Sequence, residues 1–175
     1  MSPWIEVKET NLVPKTYVGR RSIRVAFQDA DAGTEPMGER IIEIAKDQPK
    51  LRQTASLAYV AYVPVGSLAR GAELVRLGGA TIVNDQIIQG KTAPCTACHG
   101  EDLLGVADVP PIAGRSPSYI ARQLFDIQQG TRNGPAVQLM KLVVAKLTGE
   151  DLVAIAAYVA SRFPPTRQPA MISMK

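Results

Sequence analysis

The chain has 175 residues, of which 46% are apolar and 21% charged, and a formal net charge of +4. This is a globular composition, which excludes disorder as the whole answer, and no apolar stretch reaches the roughly 18 residues of a spanning helix. The charge is spread, +1 over residues 1–90 (11 against 10) and +3 over residues 91–175 (9 against 6); no basic run with interleaved aromatics appears, so nucleic acid is not an expected partner.

The first fifteen residues lack the basic stretch, apolar core and small-residue cleavage site of a secretory signal. Residues 1–65 carry strand-like runs at 23–27, 41–44 and 57–63, separated by turn-rich or charged segments at 29–33 and 47–49. The run after Met37 also fits a short helix. From Gly66 the pattern turns helical. Ser67 is placed to cap a helix through about Leu77, ended by Gly78-Gly79, with Leu68, Ala72, Leu74 and Val75 on one side. A second helix is predicted from Ser116, with Pro117 in its first turn, to about Gln129 before Gly130. Tyr119, Ile120, Gln123, Leu124 and Ile127 form its inner stripe. Thr131 to Pro135 reads as a loop. A third helix follows Thr148-Gly149-Glu150-Asp151, a capping-box-like start with Asp in place of Glu. Leu152, Ile155, Ala156 and Val159 recur at helical spacing, and Phe163-Pro164-Pro165 ends it. The last ten residues read as a tail.

The chain has two Cys and one His, and all three lie in Cys95-Thr96-Ala97-Cys98-His99. Cys-x-x-Cys-His is the attachment signature of c-type haem. On one helical turn, residues three and four apart share a face, so Cys95 and Cys98 can each bond one vinyl group of a porphyrin while His99 reaches the iron. Three other readings stay open: a zinc site with an Asp or Glu ligand, a dithiol redox pair, and core cysteines beside a satisfied histidine. A single His excludes bis-histidine ligation within the chain. The sixth iron position then falls to a Met, a Lys or another donor, or stays open. Met140, after the Gly- and Pro-bearing loop and before the last helix, is the expected ligand; Met37 is an alternative.

With these residues in view, residues 66–163 resemble the class I c-type cytochromes, and most of all the bacterial branch built of two tandem haem domains. The likeness runs through Gly71 to Val75, the haem motif with Gly100, Pro110 to Arg115, Tyr119 to Leu124, Met140, Leu147 to Asp151, and Ile155 to Tyr158. It implies a mainly α fold: three main helices around one covalent haem c bound through Cys95 and Cys98, with an N-terminal extension containing some strand. The expected organisation is an extension over 1–65, the linker or remnant of another haem domain, then a haem domain over 66–165 and a tail over 166–175. A tandem protein would carry two haem motifs, and this chain carries one.

The resemblance also implies roles. His99 and Met140 are the axial ligands, and the Pro110 carbonyl accepts a hydrogen bond from the proximal imidazole, with Pro111 the near alternative. Arg115 pairs with a haem propionate, Asn133 hydrogen-bonds near the axial sulfur, and Gly71 and Tyr158 meet where the first and last helices cross. The function expected is one-electron transfer, without catalysis, between redox proteins such as a dehydrogenase, a quinol-oxidising complex or a terminal oxidase. The alternatives are a haem subunit of a larger dehydrogenase and a small-molecule haem enzyme with an open sixth site. Covalent haem implies a periplasmic location.

Overall fold

A computed structural model of the protein describes residues 5–19, 23–47 and 58–162. The turn at 47–49 and the run at 57–63 fall partly outside those residues, and the helix stop at 163–165 and the tail at 166–175 wholly so.

Among the described residues, seven short strands come first. β1 (Ile5–Glu9) pairs in parallel with β7 (Tyr59–Val63), and β7 pairs antiparallel with β6 (Ile42–Ala45), giving the order β1-β7-β6. β7, with the sequence Tyr-Val-Ala-Tyr-Val, is rich in the residue types that suit a half-buried sheet. Two ribbons flank this sheet: β2 (Leu12–Pro14) with β5 (Thr34–Pro36), and β3 (Thr16–Val18) with β4 (Arg24–Ala26). Val13, Met37, Ile42 and Ile44 form their apolar centre. The run after Met37 is therefore a strand, and Met37 is core.

The helical part begins with α1 (Ser67–Leu77). Gly78, at φ 65°, caps its C-terminus and returns its N–H to the Leu74 carbonyl at 2.9 Å. Ser67 is not the N-cap: that place is Gly66, and no side chain of the helix caps it. Instead the Glu9 carboxylate of β1 accepts from the Leu68 amide at 2.7 Å. Residues from 78 on are not all helical, since β8 (Thr81–Val83) and β9 (Gln86–Ile88) form a hairpin. Its two-residue turn, Asn84-Asp85, has both φ angles positive (50° and 61°), the signature of a type I′ turn. Ile82, Val83, Ile87 and Ile88 are all exposed on it.

After the single turn α2 (Thr96–His99) come α3 (Pro117–Gln128), α4 (Gln138–Val144) and α5 (Gly149–Ser161). α3 starts where expected, and Ser116 is its N-cap, accepting from the Tyr119 amide. The Glu43 carboxylate of β6 reinforces that end, accepting from the Ser116 hydroxyl at 2.7 Å and the Ser118 amide at 2.8 Å. Ile120 and Ile127 of the expected stripe are buried, but Tyr119 is exposed. Both halves of the Thr148–Asp151 capping box are present.

α5 is the spine. Leu152, Ile155, Ala156 and Val159 are all buried, and α5 crosses both α1 and α3. The α1 crossing depends on Gly71: a Cβ there would lie 2.1 Å from the Ala154 carbonyl oxygen and 2.6 Å from Tyr158 Cβ, so only glycine lets the backbones approach this closely. Ile5, Ala61 and Ala160 join the sheet to the end of α5. The architecture is a helical domain with a small β extension packed on it.

Candidate metal centre

The Cys95 carbonyl accepts from the amides of Cys98 (3.3 Å) and His99 (2.9 Å), so the three chemical side chains ride on one turn. Cys95 is partly buried and Cys98 exposed. Burial pushes the Cys95 thiol up to about 11. A dithiol redox pair needs the opposite, a lowered thiol pKa.

His99 is buried, at 8% exposure. The chain beyond it folds back through main-chain bonds: the Gly105 amide donates to the His99 carbonyl at 2.8 Å, and the amides of Ile112 and Ala113 both donate to Leu103 at 2.9 and 3.1 Å. Gly105 makes the return possible. Its φ is +86°, and a Cβ would lie 2.4 Å from the Val109 carbonyl oxygen. The return sets the Pro110 carbonyl oxygen 2.8 Å from His99 Nδ1. With that oxygen accepting, Nδ1 carries the proton and Nε2 is left as the ring nitrogen able to bind a metal.

Met140 lies in the first turn of α4, not in a loop. It packs, partly buried, against the same apolar cluster as Cys95, Leu104 and Ile112. Met37 packs in a separate cluster with Val13. α4 is short, and the side chain of Gln128 on α3 holds its far end, donating to the carbonyls of Val144 (2.7 Å) and Leu147 (2.8 Å). Asn133 is exposed, and its Oδ1 accepts from Lys141 Nζ at 2.5 Å and Gln138 Nε2 at 3.3 Å, residues one after and two before Met140 in α4. Arg115 is also exposed and donates from Nε to the Pro111 carbonyl at 2.8 Å.

A buried acid braces the approach to the haem motif. Asp151 is fully buried and accepts from Arg70 of α1 at 2.7 and 2.9 Å and from Lys91 Nζ at 2.6 Å. Burial alone would raise its pKa, but the bonds from Lys91, the Thr148 amide and Arg70 outweigh that and hold it at about 2. Asp151 was expected only as a helix cap. Its partners lie 60 and 81 residues away, and no local pattern announces them; the same holds for Gln128.

The donor set fits a covalent haem. Two cysteines and an imidazole share one turn, the imidazole has a fixed tautomer, and a thioether packs on the same apolar cluster.

The chain is similar to known proteins. The family model described as Cytochrome c matches residues 86–162. The chain is 36% identical over 89 residues to cytochrome c4 of Pseudomonas aeruginosa, covering 49% of this chain and 44% of that protein. It is 29% identical over 158 residues to cytochrome c4 of Stutzerimonas stutzeri, covering 81% and 72%. It is 35% identical over 75 residues to cytochrome c-554(548) of Halomonas halodenitrificans, covering 42% of this chain and 90% of that protein. The chain thus spans less than half the length of the first relative and nearly all of the third.

Proposed function

The chain belongs to the cytochrome c family, and from that premise we propose that it is a one-electron carrier whose haem iron takes His99 and Met140 as axial ligands. Haem c supplies an iron that accepts and returns a single electron. The chain's own residues do the rest. Cys95 and Cys98 hold the macrocycle covalently. The Pro110 carbonyl fixes the His99 proton at Nδ1 and the ring's orientation. Met140 closes the sixth position, which removes a substrate site and favours transfer over catalysis. The observation that carries this reading is the packing of Met140 and Cys95 on one apolar cluster.

Arg115 and Asn133 belong to the same reading in lesser roles. The guanidinium nitrogens of Arg115 other than Nε serve a propionate, and Asn133 steadies the start of α4. The exposure of Cys98 supports docking of a redox protein against that edge through a small, short-lived interface. A dehydrogenase, a quinol-oxidising complex or a terminal oxidase fits as partner, and the periplasm as location. Residues 1–65 fit a linker or remnant of a further haem domain, and the long alignment with the Stutzerimonas relative supports that.

A second reading, a haem subunit within a larger assembly, is favoured by the exposed aliphatic hairpin at 81–88. A stable partner that co-purifies in fixed ratio would select it over a free carrier.

The test is the absorption spectrum of the oxidised holoprotein and of Met140→Ala. The expected result is a weak long-wavelength Met–iron charge-transfer band that vanishes in the variant. A wild-type high-spin spectrum that shifts on adding a small ligand would sink the closed-site reading.

A further inference from the structure

We propose that Thr92 is a positioning residue for the sixth iron ligand, its hydroxyl tying the segment that enters the haem motif to the helix that carries Met140. The proposal rests on Met140 being that ligand.

Thr92 Oγ1 lies 2.6 Å from the Val143 carbonyl oxygen. A hydroxyl has one proton to give, and the other acceptor within reach, the Ala93 carbonyl, is 3.4 Å away. The hydroxyl therefore donates to Val143. In sequence, Thr92 stands three residues before Cys95 and Val143 three residues after Met140. One hydrogen bond thus joins the two segments that bring their ligands to the iron. Val143 lies in the last turn of α4, where helix carbonyls lack intrahelical partners, so the bond meets a real need.

α4 depends on such outside support. At seven residues it is far shorter than a helix that stands alone in water. Val144 is its one fully buried side chain, while Leu139 and Leu142 are each 78% exposed. Polar ties at its C-terminus do much of the holding, from Thr92 on one side and Gln128 on the other. The Thr92 end of the strut is itself fixed. Its amide donates to the Gly78 carbonyl at 3.2 Å, and its neighbour Lys91 is bound to buried Asp151 at 2.6 Å. The strut therefore runs from a fixed base to a lightly held helix, and what it holds in place is the Met140 thioether.

The test uses oxidised holoprotein titrated with imidazole, which competes with a Met for ferric iron. Thr92→Val removes the hydroxyl and keeps the shape; Thr92→Ser keeps the hydroxyl. Losing one hydrogen bond to α4 should tighten imidazole binding about fivefold in Thr92→Val, and Thr92→Ser should return it to the wild-type value. Should Thr92→Val not accumulate as holoprotein, Thr92→Ala takes its place in the same titration. A denaturation midpoint that falls while imidazole affinity stays at wild type would make Thr92 a general stability residue and overturn the proposal. Equal tightening in the Ser and Val variants would overturn it too. Met140→Ala separates the two levels. If its charge-transfer band is lost, the ligand reading stands and an unchanged Thr92→Val overturns the strut alone; if the band survives, both fall.

Discussion

On the His99 side of the centre the chain closes on itself with main-chain bonds. The Gly105 amide reaches the His99 carbonyl, Leu103 takes two amides, and Pro110 offers its own carbonyl to the imidazole. On the Met140 side the bonds that fasten the end of α4 to the rest of the molecule come from side chains, Thr92 and Gln128. Main-chain closure is indifferent to most side-chain changes and fails only where backbone conformation fails. Side-chain closure can be loosened one bond at a time. The His99 side is therefore built as a fixture and the Met140 side as an adjustable one.

The largest break in that contrast should come from Gly105→Ala. It places a Cβ 2.4 Å from the Val109 carbonyl oxygen at φ +86°. Together the clash and the strained backbone should cost about 3 kcal/mol, read as a lower denaturation midpoint of the holoprotein. A midpoint within error of wild type would show that the His99 loop is not the rigid side.

Asp151→Asn should come next, at about 2 kcal/mol, because it unfastens the base on which the Thr92 strut stands. Arg70 and Lys91 are each partly exposed and can turn to water, which limits the loss. The pH dependence follows from the sign of the shift. The folded pKa, about 2, lies below the ordinary 3.8, so the contribution is whole above about pH 4 and drains away as pH falls toward 2. Denaturation midpoints between pH 5 and 2 should decline in wild type by more than in Asp151→Asn. Parallel decline would remove Asp151 from the account.

Gln128→Leu should be the mildest, about 1 kcal/mol. It leaves the Val144 and Leu147 carbonyls without their side-chain donor but leaves Thr92 in place. Amide exchange should quicken in α4 while the amide of Gly105 keeps its protection. Faster exchange at Gly105 as well would mean that the two sides are one.

Local features of this molecule were legible in its sequence. The haem motif is five contiguous residues, and the caps at Ser116 and Thr148 act within three positions. The stripe on α5 repeats at short range. Gly71 against Tyr158 came into view through the family likeness. What stayed hidden is nonlocal. The parallel pairing of β1 with β7 joins residues more than fifty positions apart. Ser67 looked like a cap, yet the group that serves α1 is Glu9, 59 positions from the amide it binds. Tyr119 fitted the stripe of α3 by spacing, but it sits at the stripe's edge and stays exposed. The hairpin at 81–88 did have a local signal, Asn-Asp between two β-branched runs, and the surrounding helical texture masked it. α4 is too short to show a period at all.

The carboxylates of Glu9 and Glu43 carry a consequence beyond their two helices. Each comes from the β extension and ends on an amide of the helical part, where negative charge meets the positive end of a helix. The change of texture at Gly66 is therefore not a boundary in free energy. If the sheet frays, α1 loses the carboxylate at its start, α3 is left with Ser116 alone, and α5 loses its contact with Ile5. Extension and helical part should therefore melt in one transition, and a chain cut at that seam should show a lower denaturation midpoint than the whole.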